Sequence, residues 1–347
     1  MSTTIDEYRE KLFAWQWRYA GAMQFDGSLD PAHVAALGSP VFRQGASAAN
    51  VLLHPDDDQM MRTRVVGQIA KRRRSFRSMA SSQALAQSVF GNLVVRGRLG
   101  CLAGLADEAG RPLFFEREGA VAGVFLDHDV AGLLGEPSPA AVDVWIAAPH
   151  RVIVDCTLAE AGIAECACTR LEADDAKYCN RLFAADGLGC SLSEHGDANY
   201  WRYLPELLGW RPSDGEVCPL ASTLQLVRDV LAACVRDGEL DCGHGHAVLV
   251  VDGRNPTFGW SEWRPTGAGA QAFEAVRDAL GVNGRQLRLC TWQRIAGAIS
   301  AAGDLDWLVD GLRQKYGIEP DQGWRGKPAA FGHASDSDPA RSGAARP

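Results

Sequence analysis

Two aspartates, Asp143 and Asp155, stand in the stretch "AVDVWIAAPHRVIVDCTLAE", residues 141–160. The stretch reads as strand, turn, strand: Asp143 lies inside an apolar run, "APHR" can turn the chain, and Asp155 closes the second run. Paired strands of this kind bring two carboxylates together at their ends. Two such carboxylates suit a hard divalent cation, Mg²⁺ or Mn²⁺, which takes oxygen ligands and keeps open positions for water and phosphate. Side chains alternate along a strand, so residue 157 shares the face of Asp155. A lysine there could orient or activate a water molecule, whereas Thr157 offers only an uncharged hydroxyl.

A second group of residues suited to chemistry is the basic run Lys71, Arg72, Arg73, Arg74 and Arg77. On or just after a helix it could contact DNA phosphates without reading sequence. It reads equally as a solvated basic helix end favoured by the helix dipole. Arg96 and Arg98 could extend the same patch. "DCGHGH" places Cys242, His244 and His246 at alternating positions, and reads as a turn into the next strand rather than a metal site.

The elements that must position these residues follow from hydrophobic period. Residues 5–22 predict an amphipathic helix with Tyr8, Leu12, Trp15 and Tyr19 on one face. Further helices are expected over 57–74, 82–93, 220–238, 269–280, 292–302 and 304–316. Short runs between them, "LFFERE", "VAGVFLD", "AVDVWIAA", "RVIVDCT", "HAVLVVDG" and "LRLCTW", predict strands. Helices on both sides of a strand group point to an α/β or α+β sandwich. One domain is expected over residues 1–320, with a helical region to about residue 95; the Gly-, Ala-, Ser-, Pro- and Arg-rich residues 321–347 predict a disordered tail.

The 347 residues, 46% of them hydrophobic, can fill a sizeable core. The N-terminus carries early acids and no apolar run of the signal-peptide kind. No segment reaches the roughly 18 uninterrupted apolar residues of a spanning helix. The expectation is a cytoplasmic protein with no membrane partner, whose ten cysteines are free, metal-bound or catalytic rather than disulfide-paired. A net charge of −8 argues against non-specific coating of nucleic acid while leaving room for a local basic groove. A serine hydrolase finds no G-x-S-x-G elbow to support it.

Taken in order, "SSQALAQSVFGNL", "LFFERE", "VDVWI", the hairpin with "AEAGIAEC" after it, "NYWRYL", "CPLASTLQLVRD", "LCTWQRI" and "QKYG" reach across most of the chain. Together they make it similar to a bacterial restriction endonuclease family of the restriction-endonuclease-like, D…(D/E)-x-K, nuclease superfamily, with a variant motif. The resemblance implies an α/β sandwich with a central mixed sheet flanked by helices. It also implies a DNA-directed, divalent-metal-dependent nuclease of restriction or defence type. Asp143 matches the first metal acid and Asp155 the second, where the family more often has Glu. Glu116 matches an acid in the preceding strand, and Glu160 the acid after the hairpin. Gln225 resembles the helical glutamine that RecB-type nucleases place near their metal, although it also reads as a solvated helix residue. Asp229 stands where those proteins often have Tyr.

Thr157 departs from the motif lysine. The expectations are therefore a nuclease of weakened activity, or a retired nuclease fold that binds nucleic acid or a protein. Cys166, Cys179, Cys190 and Cys218 occupy family-matching positions in segments of little regular pattern. Four thiolates so placed could hold an iron-sulfur cluster, as in related helicase-nuclease and CRISPR-associated exonucleases, or a structural Zn²⁺. Cys168 could replace Cys166. Ordinary buried thiols are the other reading, and it suits Cys101, Cys234 and Cys290.

Overall fold

The computed structural model describes residues 4–34, 38–68, 74–116, 121–136, 140–147, 149–163, 165–172, 175, 178–179, 190, 199–211, 216–261 and 264–321. Its centre is a five-stranded mixed sheet. β1 (Gly123–Asp129), β2 (Ala141–Ala147) and β3 (Arg151–Cys156) form an antiparallel meander. β4 (Gly245–Val251) then pairs parallel to β3, and β5 (Leu287–Thr291) parallel to β4. Parallel neighbours need crossovers. Helix α5 (Leu220–Cys234) precedes β4 and α6 (Ala268–Leu280) precedes β5, and both pack on one face, as two crossovers of the same hand advancing the same way must. All seven residues of β4 are buried, which is why "GHAVLVV" is apolar without alternation.

Alternation along β2 and β3 divides the molecule into two cores. Val144, Ile146, Val152, Val154 and Cys156 face one core. That core holds α1 (Ile5–Ala22), α3 (Ser82–Ala86, a π-helical turn Gln87–Gly91, and Asn92–Val95), α7 (Trp292–Ala302) and α8 (Asp306–Tyr316). Trp145 and Ile153 face the other core, with α4 (Tyr200–Leu207), α5 and α6. Helices thus cover both faces of the sheet.

Several boundaries differ from the sequence expectation. α1 begins as expected, with Thr4 and Glu7 closing a capping box, but its buried row is Tyr8, Leu12, Gln16 and Ala20, not the face with Trp15 and Tyr19. Among the described residues of 57–74 the helix is α2 (Gln59–Val66); Asp58 caps its start and Gly67 ends it. α5 stops at Cys234 rather than 238 because Asp237 and Gly238, both at positive φ, turn a small hairpin that pairs Arg236 with Glu239. "LFFERE" is not a strand up to Glu116, its last described residue. Leu113, Phe114 and Phe115 bend into the core instead, and Glu116 points outward. The tail expected to be disordered lies, apart from Asp321, outside the described residues.

One core feature is an ionisable group the apolar pattern does not announce. Lys315 in α8 is fully buried, with Nζ donating to the Asn50 carbonyl and, at 2.7 Å, to Asn50 Oδ1. Burial pushes its pKa down to about 7 from 10.5. The unfolded chain therefore binds more protons between about pH 7 and 10.5, so this residue makes stability rise with pH across that window. Lys315→Met should flatten that part of the stability profile relative to wild type in urea melts taken from pH 7 to 10.5. Parallel profiles would show that Lys315 is charged in the folded protein.

Candidate functional site

The β2–β3 register pairs Val144 with Val154 and Trp145 with Ile153, so the next step sets Asp143 against Asp155 on the face that looks toward α5. Both acids thus come from neighbouring strands and share a face. Asp143 is buried, at 3% exposure, and its Oδ2 accepts the Cys156 backbone N–H at 2.8 Å. Its carboxylate therefore takes over from the backbone where the β2–β3 ladder ends. Asp155 is half-buried.

Thr157 lies one same-face position beyond Asp155 and is 5% exposed. Its backbone is fastened at both ends: the N–H donates to Val250 O at 2.8 Å, and the carbonyl accepts from Trp292 Nε1 at 2.9 Å. Its hydroxyl has no hydrogen-bond partner in the described structure. A buried, unpartnered hydroxyl beside two carboxylates is a polar group still able to bond a water or ligand oxygen. Glu160 follows the pair, with its Oε2 accepting from the Leu158 N–H at 2.5 Å, and its charge acts on Cys156 together with those of Asp143 and Asp155. Glu116, expected on a neighbouring strand, is exposed in the bend before residues outside the described set.

Helix α5 supplies a third acid. Asp229 is buried, and Gln225 Nε2 donates to its Oδ1 at 3.0 Å. Gln225 is not a solvated helix residue: its Oε1 accepts from Arg228 Nη1 at 2.9 Å, so two charged neighbours fix the orientation of its amide. Arg228 Nε in turn donates to Glu136 at 2.8 Å, and Tyr200 donates to the same carboxylate. Glu136, Arg228, Gln225 and Asp229 thus form a continuous polar chain that ends beside Asp143. Burial, with the negative charge of Asp143 adding to it against the opposing Arg228, raises the Asp229 carboxyl to about 7. Sequence reasoning met Asp229 only as a departure from a pattern; the spacing of four from Gln225, one helical turn, was the available signal.

The cysteines after the hairpin gather at the start of α5. Cys166 N–H donates to Ala221 O at 3.1 Å, and Cys179 N–H to Cys168 O at 3.0 Å. Burial pushes the Cys166 thiol up to about 12, with Cys168 and Cys190 contributing; burial does the same to Cys218, with Cys190 and Cys179 contributing. Cys190 is therefore within electrostatic reach of both Cys166 and Cys218, with Cys168 near Cys166 and Cys179 near Cys218, and none of the five is in a disulfide. Among the described residues, no group of three or more His, Cys, Asp or Glu side chains is arranged to hold a metal ion.

Of the basic run, Lys71, Arg72 and Arg73 lie outside the described residues, as does the side chain of Arg74. Arg77 is committed elsewhere, paired with Asp30 at 2.6 Å and donating to Phe42 O at 2.6 Å. Arg96 and Arg98 are likewise paired, with Asp57 at 2.6 Å and Asp304 at 2.5 Å. His246 is buried, bonded to Leu113 O at 2.7 Å and to His150 at 2.6 Å. No protein-family model, curated protein or solved structure matches the chain.

The coupling of Asp229 to Asp143 is directly measurable. Asp143→Asn removes a negative charge, so the Asp229 carboxyl should titrate closer to the ordinary 3.8, read by carbon NMR of the labelled carboxyl. The raised folded-state pKa also means that Asp229 stabilises the fold most below about pH 4, and that this contribution is lost as pH rises through about 7. Asp229→Asn should remove that loss. An Asp229 titration unmoved by Asp143→Asn would show that burial alone sets it.

Proposed function

We propose that the chain is a DNA-directed, divalent-metal-dependent nuclease of restriction or defence type, on a restriction-endonuclease-like sandwich, with activity weakened by Thr157. The observation that carries this reading is the placement of Asp143 and Asp155 on adjacent strands, on one face, at the end of the β2–β3 ladder. Mg²⁺ is commonly held by one or two protein carboxylates, with waters and substrate phosphate filling the other positions. Two acids and a buried hydroxyl without a partner fit that donor set. A metal held there would polarise the phosphate and lower the pKa of a bound water.

The chain's own residues divide the remaining work. Asp143 and Asp155 would hold the cation, and Thr157 Oγ1 can orient a water without supplying charge. Asp229, raised to about 7, has the proton affinity a general base needs at neutral pH. Gln225 keeps that carboxyl in place. Lys71, Arg72, Arg73 and Arg74 are proposed to contact DNA phosphates; Arg77, tied to Asp30, is not.

A second reading, a retired nuclease fold that binds nucleic acid or a partner protein, is favoured by one observation. Arg228, the cation facing Asp229, is bonded to Glu136 and Gln225 and so does not stand in for a motif lysine beside the metal. We further propose that Cys166, Cys179, Cys190 and Cys218 hold an iron-sulfur cluster, or Zn²⁺ in its place, because Cys190 lies within electrostatic reach of both Cys166 and Cys218, and a metal bound there would stabilise as thiolates groups that burial otherwise keeps protonated.

Supercoiled plasmid incubated with Mg²⁺ or Mn²⁺ should be nicked slowly by the wild-type protein and not at all by Asp143→Ala. Thr157→Lys should speed nicking by roughly 10²-fold or more, the scale of general acid–base assistance. Cleavage that survives Asp143→Ala would move the active site elsewhere, while no cleavage by either wild type or Thr157→Lys would favour the retired fold. Anaerobically purified protein should contain iron and absorb in the visible, or else contain zinc, and Cys218→Ser should lower that content. Protein free of both metals would return the cysteines to ordinary buried thiols.

A further inference from the structure

β1 is an edge strand, yet it is not regular. Asp127 adopts φ 52, in the left-handed region that a non-glycine residue enters only at a cost. In an unbroken strand the register, which pairs Leu126 with Val144 and His128 with Val142, would set Asp127 beside Asp143 on the acid-bearing face. Instead its carboxylate accepts from Gln83 Nε2 of α3 at 2.9 Å, toward the opposite core. The half-turn brings His128 onto the acid-bearing face in its place.

His128 there completes a stack of four groups. Phe125, paired across the strands with Trp145, lies 5.6 Å from the His128 ring and tilted 42° to it; His128 lies 4.6 Å from Trp145, tilted 47°; and the Arg151 guanidinium sits 4.6 Å over the Trp145 ring. Arg151 is fixed by donating to Ala232 O and Val235 O, each at 2.8 Å, at the end of α5. The inner end of the stack is therefore anchored on the helix that carries Gln225 and Asp229. The outer end is a ring in solvent: Phe125 is 51% exposed, and Gly123 leaves room for it, since a Cβ there would come within 3.2 Å of the ring.

Phe125 and Trp145 form the same-face row next to Asp143 and Asp155, and adjacent rows along a strand are about 6.6 Å apart. A flat ring, backed by tilted aromatics and a cation, one row from the acid pair, is matched by a flat heterocycle joined to a phosphate. A protein partner would need several hundred Å² of complementary surface, whereas one exposed ring is the size of one base. Local strain of this kind persists where the surrounding structure imposes it, and it is found at ligand sites. We propose that Phe125 is a stacking platform for an unpaired base and that the acid pair therefore acts on unpaired DNA, including the strand openings that negative supercoiling exposes in a plasmid. This rests on the nuclease reading above and specifies its substrate.

The test is fluorescence anisotropy of the full chain with Ca²⁺, using an end-labelled oligonucleotide offered single-stranded and as its duplex. Wild type should bind the single strand more tightly. Phe125→Ala, an exposed position, should weaken single-strand binding by roughly 5- to 100-fold, the range base–aromatic stacking spans, and leave duplex binding unchanged. Phe125→Trp should restore it. A single abasic position in the oligonucleotide should weaken binding to wild type but not to Phe125→Ala. Single-strand binding unaffected by Phe125→Ala, or a wild-type preference for duplex, overturns the platform and leaves the nuclease reading standing. No binding of either DNA form, with no plasmid nicking, overturns both.

Discussion

A carboxylate with no solvent exposure, Asp252, sits where the interior strand β4 ends, and the elements around the candidate site are tied to it. Burial works to raise its pKa, but Arg254 and the surrounding donors prevail and hold it below the usual carboxylate value. Arg254 approaches to 2.6 Å, Gln293 of α7 to 2.7 Å and the Tyr8 hydroxyl of α1 to 2.8 Å. Arg254 goes on to the Tyr316 and Gly317 carbonyls at the end of α8, while Asn255 donates to the Leu158 and Glu160 carbonyls. One buried charge thus joins the first helix, the last helix and the loop that follows Thr157. Losing one partner of such a group leaves the charge uncompensated, at about 3–5 kcal/mol. The chain after Thr157 is thereby tied to the surroundings of that charge as well as to the sheet ladder.

The same electrostatics bear on the missing lysine. A motif lysine would add a permanent positive charge next to Asp143 and Asp155. Here the helix above contributes another acid, Asp229, and its facing cation, Arg228, is engaged by Glu136. Three like charges in a partly buried site are unfavourable, and the relief available without a cation is for one acid to keep its proton. Asp229, titrating near 7, is placed to be that acid. A divalent cation would supply the opposite relief and favour its ionised form. Metal loading and Asp229 protonation are therefore competing ways of neutralising one cluster.

Much of the scaffold was legible because it follows from period. β2, β3 and β5, and helices α1, α5, α7 and α8, fall within the expected stretches, β4 and α6 each begin one residue before theirs, and the central mixed sheet flanked by helices is the expected class. The helix expected across 220–238 runs past its real end because the Asp237–Gly238 turn interrupts a period that the residues on either side continue. Partners far apart in sequence were not visible. Nothing local distinguishes Arg77, held by Asp30, or Arg96, held by Asp57, from arginines free to contact phosphate. Glu116 was misplaced for a related reason: "LFFE" has the composition of a buried strand, and only the three-dimensional core shows that its aromatics plug a bend. At the site, a two-residue period placed Asp143 and Asp155 on one face, whereas Asp229 required knowing which turn of α5 lies over them.

Asp127 shows how one backbone angle sets the chemistry of a face. "GVFLDHD" reads as a continuous strand, and as such it would add a carboxylate directly beside Asp143, close to Asp155 and Asp229. The left-handed turn costs about 1–3 kcal/mol, yet it sends that carboxylate to Gln83 and brings a neutral ring to the acid face. Burial keeps the His128 pKa low, so the ring stays uncharged at neutral pH and can stack on Trp145 without drawing in an acid. The cost of strain is thus set against the repulsion of a further like charge, and the face gains a flat apolar border. A glycine at 127 would relax the angle but lose the anchor to α3; a residue unable to adopt it would return the strand to its regular phase and break the stack.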